Sequence, residues 1–137
     1  MEQRSFARLG RDVSVIGLGT WQLGADWGDV GEDTAFEVLT ASVDSGVNFF
    51  DTADVYGDGR SEQLIGRFLH EVRPDLAGQI FVATKMGRRV EQRPELFTLD
   101  NFRRWNDRSR ENLRVDQLDL VQLHCPPTAV LSTPSVY

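Results

Sequence analysis

Four short apolar runs alternate along the chain with longer segments in which apolar residues recur at helical spacing. The runs that predict β-strands cover residues 15–19, 47–51, 80–85 and 118–124. Each intervening segment keeps its apolar residues on one face, as Phe36, Leu39 and Val43 do in the first of them. This order predicts a four-stranded parallel α/β sheet with three helices in right-handed crossovers. Residues 6–13 precede it with two short extended stretches around Gly10, which predict a hairpin or a lid.

The expected limits of these elements follow from residues that cap or break them. The run at residues 15–19 is closed by glycine and is typical of a strand covered on both faces. For the three helices, capping and breaking residues flank each segment. The predicted caps or first residues are Asp33 (before a start at Thr34), Ser61 and Thr98, and the predicted stops are Gly46 and Pro74.

The last residues predict the beginning of a fourth helix. Ser132 or Thr133 is a good helix cap, and Pro134 suits the first helical position. Only three residues, ending at Tyr137, follow that proline. A helix interrupted in its first turn predicts that the chain is the N-terminal part of a longer polypeptide.

Composition excludes several classes of partner. A chain of 137 residues that is 40% apolar and 26% charged predicts one soluble globular domain. A net charge of -6 disfavours nucleic acid and anionic membranes, because phosphates bind clustered positive charge, and the arginine pairs at 88–89 and 103–104 are interpreted as solvated faces. No apolar run approaches the roughly 20 residues that span a bilayer. The single cysteine, Cys125, excludes an internal disulfide and is interpreted as a packing residue, so we expect a cytoplasmic protein.

Ionisable residues end three of the predicted strands. Asp51 closes the second strand, with Tyr56 in the loop after it, while Lys85 closes the third strand and His124 the fourth. Lys85 is the only lysine among fifteen basic residues. Because the C-terminal ends of parallel strands meet at one edge of the sheet, the four side chains are expected to share a pocket. Taken singly, each could instead be a loop or strand-end residue without a chemical role.

Together these four side chains could protonate a carbonyl oxygen. A lysine ammonium beside a tyrosine stabilises the phenolate, which makes the phenol a better proton donor. The aspartate would hold and neutralise the lysine, and the imidazole could donate to an oxygen on which negative charge develops. The sequence offers no evident acyl-transfer nucleophile and no metal-ligand cluster, so no metal is predicted and the electrons must come from a cofactor. The glycine-rich loop at 20–31 carries Trp21 and Trp27, which form either a pocket wall or a packed surface loop.

Five motifs that include these residues resemble, in order, the successive motifs of the aldo-keto reductase superfamily. They are Gly17-Leu18-Gly19-Thr20-Trp21; Gly46-Val47-Asn48-Phe49-Phe50-Asp51-Thr52-Ala53 with Tyr56-Gly57; Gly59-Arg60-Ser61-Glu62 leading to Gly66; Ala83-Thr84-Lys85; and Asp119-Leu120-Val121-Gln122-Leu123-His124. The resemblance extends over essentially the whole chain. It implies the N-terminal half of a (β/α)8 TIM barrel, with four parallel strands, three helices and an N-terminal hairpin. Residues 1–137 would then be the first part of a single barrel domain, truncated at the start of its fourth helix.

The resemblance also implies an activity and a role for each site residue. The family reduces aldehydes and ketones with NADPH, less often NADH, by hydride transfer from the nicotinamide C4. By resemblance, Tyr56 is the proton donor, Lys85 its activating cation, Asp51 the carboxylate paired with that lysine, and His124 the residue that orients the carbonyl. Thr20, Trp21 and Asp51 are implied to contact the cofactor, and Trp21, Tyr56 and His124 the small carbonyl substrate.

Two functional readings remain open at this stage. In the first, the parent protein is a nicotinamide-dependent carbonyl reductase, although this chain alone lacks the half of the barrel that holds most cofactor contacts in the family. In the second, the chain is a non-catalytic half-barrel or a regulatory, cofactor-sensing subunit. Open sheet edges would favour self-association or a partner chain in that case.

Overall fold

The computed structural model describes residues 1–24, 28 and 30–136 of the chain. An antiparallel hairpin comes first, with β1 (Gln3–Phe6) and β2 (Arg11–Ser14) joined by the 3-10 turn Ala7–Leu9 and a left-handed Gly10. The hairpin prediction is confirmed, although Ala7–Leu9 is helical rather than extended. The ring of Phe6 lies 5.8 Å from that of Phe81, which begins a sheet strand, so the hairpin closes the N-terminal end of the sheet.

The central sheet has four parallel strands in the predicted order. They are β3 (Leu18–Gly19), β4 (Phe49–Asp51), β5 (Phe81–Met86) and β6 (Leu120–Leu123), hydrogen-bonded in the order β3-β4-β5-β6. The helices are α1 (Glu32–Asp44), α2 (Arg60–Arg67), α3 (Leu99–Leu113) and the short α4 (Thr128–Leu131), and a π-helical turn, Phe68–Val72, extends α2. Further 3-10 turns lie at Trp21–Gly24, Tyr56–Gly59, Pro74–Leu76, Pro94–Leu96 and Pro134–Val136. None of the helices described here combines the length and apolarity needed to cross a bilayer.

The first predicted strand is wrong in extent and in burial. Only Leu18 and Gly19 pair with β4, while Val15 and Ile16 are 43% and 61% exposed. Val15 continues the hairpin instead, because its N–H donates to the carbonyl of Glu2. The sheet edge at β3 is therefore short and partly uncovered.

Helix ends are partly as predicted. Thr98 accepts a hydrogen bond from the Asn101 N–H at the start of α3, Gly46 follows α1 with φ +87°, and Pro74 lies beyond the end of the second helix. The other two predicted caps are wrong, since Gly31 precedes α1 and Gly59 precedes α2. The predicted fourth helix is confirmed only in part: a 3-10 turn begins at Pro134, but α4 precedes it, and Ser132 and Thr133 donate back to Thr128 and Ala129. Of the predicted fourth helix, Tyr137 lies outside the described residues.

Two apolar clusters hold the helices against the sheet. The larger lies between the outer face of the sheet and α1 and α2, and the smaller lies beneath α3 and α4. Members of the larger cluster include Ala35, Leu39, Phe50, Leu64, Ile65, Phe68 and Val82, and the smaller contains Phe97, Trp105, Val130 and Val136. Burying aliphatic and aromatic side chains of this size stabilises the fold by roughly 1.5–3 kcal/mol each.

Gly66→Ala is expected to destabilise the fold by about 2 kcal/mol, although alanine is normally the better helix former. A Cβ at this position in α2 would lie 2.5 Å from the carbonyl oxygen of Asn112 and 2.9 Å from the carbonyl carbon of Leu113. Both atoms belong to the backbone of α3, so the two helices would have to separate. Urea unfolding checks the prediction, with Gly19→Ala as the matched control because a Cβ there meets nothing within 4 Å. Equal stability of both variants would contradict it.

Candidate active site

The predicted site residues lie at the C-terminal edge of the parallel sheet. Asp51 ends β4, Lys85 is next to last in β5, and His124 follows β6. In the strand register Asp51 pairs with Ala83 and Lys85 with Gln122. Because side chains alternate along a strand, Asp51 and Lys85 extend from the same face of the sheet.

The Lys85 ammonium is held by oxygen atoms at the end of β4. Its Nζ donates to Oδ1 of Asp51 at 2.5 Å and to the carbonyl of Thr52 at 2.8 Å. The lysine side chain is 17% exposed, whereas that of Asp51 is 37% exposed. A cation removed this far from water requires such partners. The structure brings the Asp51 and Lys85 side chains into contact, while their catalytic roles stay a prediction.

A tight backbone turn brings Tyr56 to the same place. Gly57, Asp58 and Gly59 after it all have positive φ angles, of 57°, 54° and 96°. A Cβ at Gly57 would lie 2.2 Å from the carbonyl oxygen of Gly24, so only glycine allows the two loops to approach this closely. The approach sets the indole of Trp21 nearly parallel to the phenol ring of Tyr56, with centroids 6.2 Å apart.

The four predicted side chains lie close together, and two of them, Tyr56 and His124, line a pocket. Lys85 Nζ lies 5.2 Å from the centroid of the Tyr56 ring, and the Tyr56 and His124 rings meet edge to face at 5.7 Å. The pocket beside them has a volume of about 320 Å³ and is lined by Trp21, Val55, Tyr56, Arg88 and His124. Trp21 therefore forms part of a pocket wall. The other predicted wall residue, Trp27, lies outside the described residues.

The surroundings of His124 favour its neutral form. Partial burial, chiefly, and then the positive charges of Lys85 and Arg88 lower its pKa below 6.5, and the negative charge of Asp51 opposes them. Its Nδ1 is buried and has no hydrogen-bond partner among the described residues. A neutral imidazole carries a single N–H, so it can donate one hydrogen bond to an oxygen in the pocket.

Thr20 supports the site from beneath. It is 1% exposed, and both its hydroxyl and its backbone N–H donate to the Asp51 carbonyl at 2.9 Å. The hydroxyl of Ser61, predicted as a helix cap, donates to the Thr20 carbonyl and is also within hydrogen-bond distance of the Thr52 hydroxyl. These bonds join β4, the loop that carries Tyr56 and the start of α2. The contact predicted between Thr20 and a cofactor stays a prediction.

Two buried carboxylates near the pocket, those of Asp54 and Glu62, were not predicted from the sequence. Asp54 is fully buried; its N–H donates to the Lys85 carbonyl, and its Oδ2 lies 3.3 Å from Nε of Arg89. Burial raises its pKa to about 6, although the charge of Arg89 opposes this. Glu62, also fully buried, accepts hydrogen bonds from Thr84 and Asn112. Residues 51–54 read Asp-Thr-Ala-Asp, so the sequence shows a second aspartate close to the site. Nothing in this run distinguishes a buried second aspartate from an exposed one.

Two surface predictions near the pocket are corrected. Arg89 is not on a solvated face, because its side chain is 20% exposed and it contacts both Asp54 and Asp58. Cys125 is exposed, and its φ of 47° turns the chain away from the sheet after β6, so it does not pack in a core.

The exposed groups of the pocket fit the reactive end of a nicotinamide cofactor. Trp21 is 42% exposed and offers an aromatic surface, while the partly exposed Asp51 carboxylate can accept hydrogen bonds from ribose hydroxyls. The ammonium, phenol and imidazole beside them can act on a carbonyl oxygen. No group of three or more potential metal ligands occurs among the residues described.

Comparison with known proteins gives one consistent result. The profile of the Aldo/keto reductase family matches residues 15–132. The chain is 36% identical over 134 residues to the aldo-keto reductase YhdN of Bacillus subtilis (strain 168). The aligned region covers 95% of this chain and 40% of that protein. It also resembles the holo form of an aldo-keto reductase from Bacillus halodurans, with a TM-score of 0.73 and 32% identity over 90% of this chain and 40% of that one.

A second similar structure was solved with a cofactor. It is an aldo-keto reductase from Klebsiella pneumoniae in complex with NADPH, with a TM-score of 0.66 and 27% identity over 84% of this chain and 36% of that one. The solved relatives are (β/α)8 barrels, so the predicted fold class, a partial barrel of this kind, is confirmed. The chain spans about 40% of the length of the curated relatives that it matches.

Proposed function

The chain belongs to the aldo/keto reductase family, and we propose on this basis that its site serves the NADPH-dependent reduction of an aldehyde or ketone to an alcohol. NADH is the alternative electron donor. The observation that supports this most directly is the Lys85–Asp51 ion pair, which lies beside the Tyr56 ring, while Tyr56 and His124 line the adjacent pocket. An acid, its activating cation and a hydrogen-bond donor are the groups that carbonyl reduction requires from the protein.

In the proposed mechanism, Tyr56 donates the proton and Lys85 assists the transfer. The ammonium of Lys85 lies close to the phenol ring and stabilises the negative charge that the phenol acquires as it releases its proton to the carbonyl oxygen. Asp51 balances the lysine charge and fixes the position of Nζ. When bound, the nicotinamide supplies the hydride that the carbonyl carbon accepts.

His124 and Trp21 position the substrate in this proposal. The neutral imidazole donates its single N–H to the carbonyl oxygen, which holds that oxygen near the phenol of Tyr56. Trp21 closes one side of the pocket and packs against the apolar part of the substrate. Trp21 and Asp51 would also contact the cofactor.

The proposal predicts that the full-length protein consumes reduced nicotinamide in the presence of benzaldehyde. The absorbance of NADPH, and separately of NADH, is followed with and without the aldehyde, and benzyl alcohol is quantified as the product. Consumption that requires aldehyde and yields one alcohol per nicotinamide oxidised is the expected result. Binding of NADPH without any turnover of several aldehydes and ketones would instead favour a cofactor-sensing role.

A second candidate, a self-associating or partner-binding half-barrel, rests on the edges of the sheet. β3 and β6 each pair on one side only within the described chain, and Val15 and Ile16 are exposed beside β3. Sedimentation and NADPH titration of both the 137-residue chain and the full-length protein separate the two: dimers of the 137-residue chain, with no nicotinamide binding by either protein, would favour the half-barrel. The expected location for either candidate is the cytoplasm, which rests on the sequence having a single cysteine.

A further inference from the structure

Arg88 is a charged residue of the pocket lining that the proposed mechanism does not use. It belongs to the turn that follows β5, is exposed, and lines the pocket together with Tyr56 and His124. Those two residues contact the carbonyl group in the proposed function. The guanidinium is therefore placed where the remainder of a bound substrate would extend.

Most of the other arginines form ion pairs or hydrogen bonds within the chain. Ten of the fourteen form ion pairs with aspartate or glutamate; they are Arg4, Arg11, Arg67, Arg73, Arg89, Arg93, Arg103, Arg108, Arg110 and Arg114. Arg60 donates to two backbone carbonyls, and Arg104 donates to Asn101. Within the described part of the chain, the structure gives Arg88 neither an ion pair nor a hydrogen bond, and the same holds for Arg8 in the hairpin turn.

The charge balance inside the pocket is positive although the chain carries a net charge of -6. Asp51 neutralises Lys85 at 2.5 Å, which leaves Arg88 as the uncompensated charge among the described residues that line the pocket. Its field reaches the site, since it contributes to the lowered pKa of His124. A planar guanidinium can bind a carboxylate or a phosphate with two parallel hydrogen bonds.

We infer that Arg88 selects carbonyl substrates that carry an anionic group, a carboxylate or a phosphate, at the end remote from the carbonyl. This inference rests on the proposed function for the position of the carbonyl beside Tyr56 and His124. Arg88 binds the anion and does not contact the reacting atoms. It therefore acts mainly on KM and leaves kcat nearly unchanged.

A pair of aldehydes matched in shape tests the selectivity. The full-length protein is assayed with 4-formylbenzoate and with its neutral methyl ester. The expected kcat/KM is about three- to tenfold higher for the carboxylate, as an exposed ion pair allows, and the preference should weaken in high salt. Arg88→Gln should abolish the preference through KM, Arg88→Glu should reverse it, and Arg8→Gln, the other arginine without a partner, should leave it unchanged. Equal kcat/KM values for the two aldehydes with wild-type protein would overturn the inference.

A binding measurement without turnover separates this inference from the proposed function. Benzoate and its neutral analogue benzamide are titrated into isotope-labelled protein, and the imidazole signals of His124 are followed by NMR, with those of His70 on the far surface as an internal control. Benzoate should shift the His124 signals at concentrations at which benzamide does not, and Arg88→Gln should remove the difference. If this holds while no aldehyde is reduced, the anion site stands and the proposed function fails. If aldehydes are reduced but benzoate and benzamide behave alike, the function stands and the anion site is refuted.

Discussion

Tyr56→Phe is expected to lower kcat for aldehyde reduction by about 100- to 10,000-fold, the usual contribution of a positioned proton donor. The substitution removes the phenolic O–H and keeps the ring. The packing of Trp21 on one side and His124 on the other should therefore persist. A loss of this size can then be attributed to the missing proton rather than to a distorted pocket.

The measurement is steady-state reduction of an aromatic aldehyde by the full-length protein, with nicotinamide binding and unfolding free energy measured for each variant. Lys85→Met serves as the second arm because it removes the cation and leaves the phenol. Lys85→Met alone also leaves the Asp51 carboxylate without the ammonium that lies 2.5 Å from it. The double variant Lys85→Met with Asp51→Asn removes both charges. If the double variant has the same kcat as Lys85→Met alone, the loss is due to the missing cation; if it recovers activity, the loss is due to the unpaired carboxylate.

Two outcomes would contradict the assignment. If Tyr56→Phe retains kcat within a few-fold of wild type, the proton comes from another group. If Lys85→Met has no effect on kcat while Tyr56→Phe has a large one, the lysine is a structural partner of Asp51 only.

The location of the site could be predicted from the sequence because it depends on topology. Asp51, Lys85 and His124 each follow an apolar run, and the ends of parallel strands converge whatever the details of packing. Tyr56 was harder to place, since it lies five residues beyond β4. Its position depends on left-handed backbone at Gly57 and on the contact with Gly24, and neither feature has a period that sequence patterns reveal.

The wrong prediction of Ser61 as a helix cap has a physical cause. A serine is a good cap in isolation, but tertiary contacts can decide the use of a short polar side chain. The Ser61 hydroxyl is buried between α2 and the Thr20–Thr52 segments, and a glycine with φ of 96° begins the helix instead. Similarly, Val130 is drawn under α3 by Phe97 and Trp105, which starts α4 earlier than the capping residues predicted.

Burial was the property least accessible from the sequence. An aspartate three residues after Asp51 and a glutamate in the first turn of α2 both read as polar surface positions. In the structure both are fully buried: Asp54 lies against Arg89, and Glu62 accepts hydrogen bonds from Thr84 and Asn112. The Asp54 carboxylate lies against the same Arg89 that pairs with Asp58 in the turn after Tyr56. The second large expected effect follows from this burial.

Asp54→Asn is expected to stabilise the fold at neutral pH by roughly 3 kcal/mol and to have little effect below about pH 4. Asp54 has a pKa of about 6 in the folded chain against 3.8 for a free side chain, chiefly because burial disfavours the charged form. Between these values the folded state binds more protons than the unfolded state, so stability is lost as pH rises from about 4 to about 6. The difference between the two pKa values corresponds to roughly 3 kcal/mol.

Urea unfolding of wild type and variant across this pH range isolates the effect, since the other titrating groups cancel in the difference. Asp58→Asn is the matched control, because Asp58 is 80% exposed and contacts the same Arg89. The hydrogen bond from Arg89 lowers the pKa of Asp58, so this carboxylate stabilises the fold above its unfolded pKa and loses that contribution as pH falls. The two substitutions should therefore change the pH dependence in opposite directions, with the smaller change at Asp58. If Asp54→Asn instead loses stability relative to wild type as pH rises, the ion pair with Arg89 outweighs the cost of burying the charge.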